Sequence, residues 1–376
     1  MSFYALVSCT LIHWLAIYGS RPYISLLVQG IGNNSMLTGM IAGVYGTVQV
    51  LLALQVSNGI TRYGAKKLIV LGNIFLTISY CILFSTNNLL YIAFCSLLLG
   101  IAHVLVMVSA QYMVTGFSGS ISREKAVGLY TFSNSLGIFI GPTVGAYLHE
   151  KFGLSAGFGG TFFIALTSLI IAFFIKENER TGKNEINVNE ISVCELIKDK
   201  KVFRALVVSS MVMFTSEIVI TYFPIYGQEI GLTVWQIGMI LSASGFSMTL
   251  VRPFLGKLSM HFSLSQIIFV GLLTGGFAMM FYGFVTIFGF LLIVASVCGL
   301  AQGILGPATM LAVTNATKQT YRGKVLALRT MIVFGSQSLG PVLCGLLSSY
   351  IGIAPMFVLG GSIMGFCSKL AHQQGD

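Results

Sequence analysis

Apolar residues in this chain gather into long runs separated by short polar stretches. Twelve runs stand out, at 3–28, 36–57, 67–86, 89–117, 126–148, 155–175, 202–227, 234–257, 265–284, 287–314, 325–348 and 354–370. About 20 apolar residues are needed for a helix to cross a bilayer. Most of the runs meet that length, and the last is short. The pattern predicts an all-α integral membrane protein with twelve transmembrane helices. The first run is expected to remain as a helix rather than be removed, since no small-residue cleavage site ends it and eleven more runs follow.

The charged residues sharpen this picture. Only 9% of the 376 residues are charged and 55% are hydrophobic, with a mean hydropathy of +0.88. A soluble domain carries about 25% charged residues. The formal charge of +10 marks topology rather than a nucleic-acid surface. With the N-terminus inside, seventeen of the 21 Lys and Arg fall in cytoplasmic segments, and only Lys151 is external. Arg21, Arg252 and Arg329 lie within runs. That asymmetry predicts both termini on the cytoplasmic side of the cell membrane.

The chain also repeats. An offset of 199 carries Tyr23 to Tyr222, Gly39 to Gly238, Gly100 to Gly299, Gly141-Pro142 to Gly340-Pro341 and Gly153 to Gly352. A parallel duplication of a six-helix unit follows, with a substrate site expected between the halves. The domains predicted are residues 1–175, a cytoplasmic linker at 176–201 and residues 202–376. A short interfacial helix is expected near 190–200.

Twelve helices in two six-helix bundles with a charged central loop resemble the major facilitator superfamily over the whole chain. The segment SNGITRYGAKKL (57–68) resembles the family's loop motif at Arg62, Gly64 and Lys66, with Thr61 where the family has an acidic residue. The counterpart loop at 256–267 keeps Gly256 and Leu258 without the charges. GIFIGPTVG (137–145) resembles the fifth-helix motif of the family's exporters at Gly137, Gly141, Pro142 and Gly145; Gly340 and Pro341 repeat part of it. The resemblance implies proton antiport and export. Glycines at such spacing let helices touch, and the proline lets the helix bend. Without the resemblance, the same residues read as a packing face.

Charges inside a membrane are costly and therefore informative. Glu217 is the one carboxylate within a run. It is the candidate proton-coupling site; the alternative is a static ion pair. Arg21 is the candidate partner and anion ligand, or else a residue that snorkels to the outer interface. Ser96, Gly100, His103, Met107 and Gln111 share one face of the fourth helix, and Ala295, Gly299, Gln302, Gly306 and Met310 repeat that stripe. They are read as cavity walls. His103, Gln302, Gln111, Tyr222 and Arg329 complete the candidate substrate-binding set, with His103 equally readable as a packing residue. His13 is read as structural. Arg252 and Arg329 lie near cytoplasmic ends, where gating or snorkelling is the plainer role.

Several function classes fall away. No Walker motif occurs, because Gly182-Lys183, Gly256-Lys257 and Gly323-Lys324 are not followed by Ser or Thr. No HExxH, triad or metal spacing occurs, and the seven cysteines are scattered. No enzyme, cofactor or metal is expected. The expected partners are a small-molecule substrate, protons and the lipid bilayer, with a monomeric chain. The leading expectation is a proton-coupled exporter of a small anionic or zwitterionic molecule. Multidrug efflux of lipophilic compounds and proton-coupled nutrient import are the alternatives.

Overall fold

The computed structural model describes residues 2–116, 122–176, 193–317 and 321–372, and in them the chain is helical with no strand. The first seven helices are α1 (Ser2–Tyr18), α2 (Arg21–Gly32), α3 (Ser35–Tyr63), α4 (Ala65–Ser85), α5 (Leu89–Thr115), α6 (Arg123–Phe152) and α7 (Leu154–Phe173). A short α8 (Val193–Lys198) leads into α9 (Lys200–Glu229) and α10 (Val234–Val251). A 3-10 turn at Arg252–Phe254 separates α10 from α11 (Leu255–His261). The last four are α12 (Leu264–Tyr282), α13 (Phe288–Asn315), α14 (Arg322–Ile351) and α15 (Ile353–His372). Most of the expected linker, residues 177–192, lies outside the described residues.

Local chemistry sets the helix ends. Asn34, Asn88, Ser122 and Asp199 cap α3, α5, α6 and α9 with side-chain oxygens, and Thr233 and Ser263 form capping boxes on α10 and α12. Gly153 and Gly352, repeat mates, turn the chain at φ 89° and 84°, a left-handed conformation that glycine adopts without steric cost.

Two features depart from the apolar pattern. The first run is one continuous hydrophobic stretch, but the helix breaks at Gly19-Ser20 into α1 and α2. The run at 234–257 breaks at Arg252-Pro253, where proline cannot donate to the preceding turn.

Ten helical stretches among the described residues are long and apolar enough to cross a membrane, by length and composition, with α1 and α2 counted as one and α10 and α11 as another. α6 and α15 fall outside that set. α6 carries Thr131, Ser133, Asn134 and Ser135 in its first half, and the apolar part of α15, Ile353–Lys369, is short. The outer surface is apolar, with Leu90, Phe163, Phe174, Phe284 and Phe366 exposed. Such a surface suits lipid, and helices satisfy their own backbone there. The chain is a multi-pass membrane protein.

α1–α7 pack chiefly on one another, as do α9–α15. Three seams join the sets: α3 on α14, α6 on α10, and α2 on α9. One end of the bundle carries Arg62, Lys66, Lys67, Lys257 and Lys324; it is called the basic end below, and the opposite one the far end. At the basic end Gly64, at φ 90°, turns α3 into α4, and Lys66 donates to the Phe173 carbonyl at the end of α7 (2.9 Å). The Arg62 guanidinium lies 5.2 Å from the Tyr63 ring centre. In the structure these loop-motif residues hold a turn and a helix end.

Candidate functional site

The break at Gly19-Ser20 places Arg21 at the first turn of α2, followed by Pro22, and the α1/α6 crossing holds that break in place. A side chain on Gly19 would meet the Gly141 carbonyl at 3.0 Å, and one on Gly137 would meet Trp14 at 2.6 Å. Gly145 faces the Gly19 backbone in the same way. The three motif glycines therefore let α6 lie directly on the broken helix. Tyr80 donates to the Ala16 carbonyl (2.9 Å) and bonds the Ser20 hydroxyl (2.8 Å), which satisfies polar groups that the break exposes.

Arg21 points across to α9. Its Nη2 lies 2.5 Å and its Nη1 3.3 Å from the two carboxylate oxygens of Glu217. This bidentate pair is the one ion pair inside the apolar bundle among the described residues. Glu217 is 0% exposed and Arg21 is 8% exposed. The Tyr45 ring of α3 supports the guanidinium from 4.2 Å, a cation–π contact. The contact expected between Arg21 and Glu217 is formed, and it links the two halves.

A small cavity lies on the Arg21 side of this pair, lined in part by Arg21, Ser25, Thr38, Tyr45, Ser96 and Thr221. It has room for about one water-sized guest. Pro224 in α9 removes the helical bond to the Ile220 carbonyl, and Ile220 lines the same cavity.

The other expected site residues are placed differently. His103 does not touch the pair; it is buried against His13, Trp14 and the Tyr45 ring that carries Arg21. Gln302 is half-buried and turns to Cys298 Sγ at 3.5 Å, while Gln111 is exposed near the basic end. Tyr222 is wholly buried, and its hydroxyl donates to the Pro341 carbonyl at 2.5 Å. Of the stripes read as cavity walls, Ser96 lines the small cavity, whereas the glycines Gly100 and Gly299 are packing contacts. Gly100 lies against the Tyr45 backbone and Gly299 against the Ser244 backbone, so no wall is exposed there. Arg329 donates to Ser209 Oγ, Thr309 Oγ1 and the Gly306 carbonyl, each at 3.2 Å. Arg252 reaches from the 3-10 turn after α10 to the Ser135 hydroxyl on α6, so it spans the two halves instead of snorkelling. Sequence reasoning missed this contact and the Tyr45 support. The signal for Arg252 was its cationic side chain beside a helix-breaking proline.

The proline motifs form a matched pair of clasps. Tyr23 donates to the Pro142 carbonyl at 2.5 Å, and Tyr222 to Pro341 at the same distance. Each clasp sits against a glycine of the opposite half, Gly238 and Gly39 respectively. These contacts close the far part of the seam. Gly306 and Gly335, nearer the basic end, face open space.

The model of the Major Facilitator Superfamily matches residues 6–263 and 205–371. The chain belongs to this superfamily. An uncharacterized MFS-type transporter of Methanocaldococcus jannaschii is 24% identical over 344 residues, covering 89% of this chain and 88% of the relative. A protein described as a multi-drug resistance efflux pump PmrA homolog, from Lactococcus lactis, is 23% identical over 342 residues, covering 88% and 84%. The crystal structure of a mutant of the nucleoside transporter NupG superposes with a TM-score of 0.86 at 9% identity, covering 100% of both chains. This facilitator-type chain is a transporter and not an enzyme.

Proposed function

We propose that the protein exports a small anionic or zwitterionic organic molecule in exchange for protons, by alternating access. The observation that carries this reading is the buried Arg21–Glu217 pair between the halves. A carboxylate held only by a guanidinium can be released by one proton. Arg21 is then free to take an anionic group of the substrate, and loss of the proton restores the pair and expels the anion. Arg252 and Arg329 have hydroxyl and carbonyl partners and no carboxylate among the described residues, which tilts the interior toward anions. The glycine–proline seam supports a rocking motion of residues 1–175 against 202–376. In this reading α6 and α15 also span, giving twelve helices. The basic end is cytoplasmic with both termini, the membrane is the cell membrane, and the chain works as a monomer without cofactor, metal or nucleic acid.

The test compares culture media from cells carrying empty vector, wild type or Glu217→Gln. Wild type alone is expected to enrich a solute outside. Depletion of a solute from the medium would reverse the direction and favour nutrient import. Export by Glu217→Gln equal to wild type would remove the carboxylate from coupling. Once the solute is known, Arg329→Gln is expected to raise its half-saturating concentration about tenfold, the cost of one charged hydrogen bond; an unchanged value would make Arg329 structural.

Multidrug efflux is the second reading, favoured by the described role of the Lactococcus relative. It predicts resistance to cationic dyes. Dye resistance lost in Glu217→Gln would mean that cations meet this carboxylate, contrary to the anion reading.

A further inference from the structure

Beside the ion pair, two imidazoles that the reading above does not use face each other between α1 and α5. His13 and His103 are 0% and 4% exposed. Their rings stack at 17° with centroids 5.5 Å apart, and His13 Nε2 lies 3.4 Å from His103 Nδ1. One ring donates and the other accepts, so the neutral pair already holds one proton at the contact, and an added proton goes to a ring nitrogen outside it. The remaining nitrogen of His13, Nδ1, is buried without a hydrogen bond. The Asn73 amide beside it is held by the Ile69 carbonyl and the Ser168 hydroxyl. A buried nitrogen left bare is costly, and an apolar side chain of similar size would avoid that cost.

On its other side the pair approaches the transport site. His103 meets Trp14 edge-on at 4.7 Å, and its ring centre lies 5.9 Å from that of Tyr45. Tyr45 in turn carries the Arg21 guanidinium on its face. The pair is therefore separated from Arg21 and Glu217 by one aromatic ring.

We infer that His13 and His103 form a second proton-binding site, which takes one added proton on the basic ring nitrogen outside their N–H···N contact and exchanges it with Glu217 through the charge on Arg21. A shared N–H···N bond spreads the added charge, and charge-assisted bonds are about twice as strong as neutral ones. With Glu217 ionised, Arg21 is neutralised and the pair can carry a positive charge. With Glu217 protonated, Arg21 stands uncompensated and repels that charge. A proton that leaves the Glu217 carboxyl and binds a ring nitrogen leaves the net charge of the cluster unchanged. This redistribution needs no other reactant.

The remaining groups around the pair do not supply a competing charge. Tyr18 and Cys9 stand on α1, Tyr45 and the buried Gln49 on α3, and Arg21 on α2. Neutral Asn73 and Ser168 come from α4 and α7, and α6 presents Gly137 to the same turn at Trp14. Among the described residues, Arg21 is thus the one permanent charge facing the pair.

The experiment is a ring-nitrogen NMR titration of the full-length, 15N-histidine-labelled protein in lipid nanodiscs from about pH 8.5 to about pH 4, a range that brackets the ordinary histidine value. His13→Gln and His103→Gln variants assign the two rings. In the wild type, the signals of both rings are expected to move together through one step. Glu217→Gln is expected to shift that step about one pH unit to the acid side, because Arg21 loses its counter-charge. In His103→Gln the remaining ring should lose the joint step. Two rings that stay neutral across the whole range would overturn the inference, as would a step that Glu217→Gln leaves in place. The inference takes its coupling from the reading of Glu217, but the two fail separately. A joint step in the wild type alongside unaltered export by Glu217→Gln would retain the pair and discard the carboxylate's role.

Discussion

Replacing Arg21 with Met, or Glu217 with Leu, is expected to destabilise the protein by about 3–5 kcal/mol, whereas the two changes together restore most of the loss. Each single change leaves the opposite charge buried with no counter-ion, at a site where Glu217 is 0% exposed. Removing both charges eliminates that penalty and puts apolar volume in its place. The residues touch, so their effects must couple rather than add. Unfolding of the four forms in denaturing detergent reads the cycle. Transport separates stability from mechanism: the double variant should be stable yet show no proton-dependent flux, since the carboxylate that exchanges partners with the substrate is gone. A double variant as unstable as either single one would mean that Arg21 and Glu217 act through unrelated contacts, and the exchange of partners proposed above would have no basis.

The second large effect is expected at the clasps. A side chain on Gly238 would come within 2.7 Å of the Pro142 carbonyl oxygen and 2.9 Å of the Tyr23 hydroxyl. On Gly39 it would lie 3.0 Å from the Pro341 carbonyl carbon and run into the Tyr222 hydroxyl. Backbone atoms cannot turn aside, so Gly39→Val or Gly238→Val should strain the closed far end by about 1–3 kcal/mol. That strain corresponds to a shift of roughly 5- to 150-fold toward states in which this end is open. Spin labels at Lys151 and Tyr350, exposed repeat mates at the far ends of α6 and α14, should report longer distances in both variants. Gly30→Ala provides the control, because a side chain there meets nothing within 4 Å. Unchanged distances in either valine variant would show that its clasp does not govern closure.

Long apolar runs announced most of the helices, because a bilayer leaves few other structures for such runs. The Arg21–Glu217 contact was legible for a related reason. A lone intramembrane carboxylate has few available partners, and the repeat placed it opposite the turn next to Arg21. The break between α1 and α2 was not legible, since the apolar run continues through Gly19-Ser20 and only contact with Gly141 reveals its cause. Gly100 and Gly299 were misread as wall positions because small residues look alike whether they line a cavity or admit another backbone; the Tyr45 and Ser244 backbones decide the matter, while Ser96 of the α5 stripe does line the cavity. His13 gave no signal at all. Its partner is 90 residues away, and a single buried histidine has no periodicity.

The paired clasps also say something about descent. Tyr23, Pro142 and Gly238 make the same contact as Tyr222, Pro341 and Gly39 with the halves exchanged. That reciprocity is the rule of an isologous two-fold interface, in which each surface meets its own copy. The seam thus retains the geometry of a homodimer of six-helix units, now written into one polypeptide. The ionisable interior breaks that symmetry at each position: Arg21 faces Ile220 across the repeat, Glu217 faces Tyr18, His13 faces Val212, His103 faces Gln302, Arg252 faces Ala53 and Arg329 faces Tyr130. A two-fold ancestor would have had to place every charge twice. Fusion allowed an acid on one side and a base on the other, so an internal acid–base pair of this kind became available only after the two copies were free to diverge.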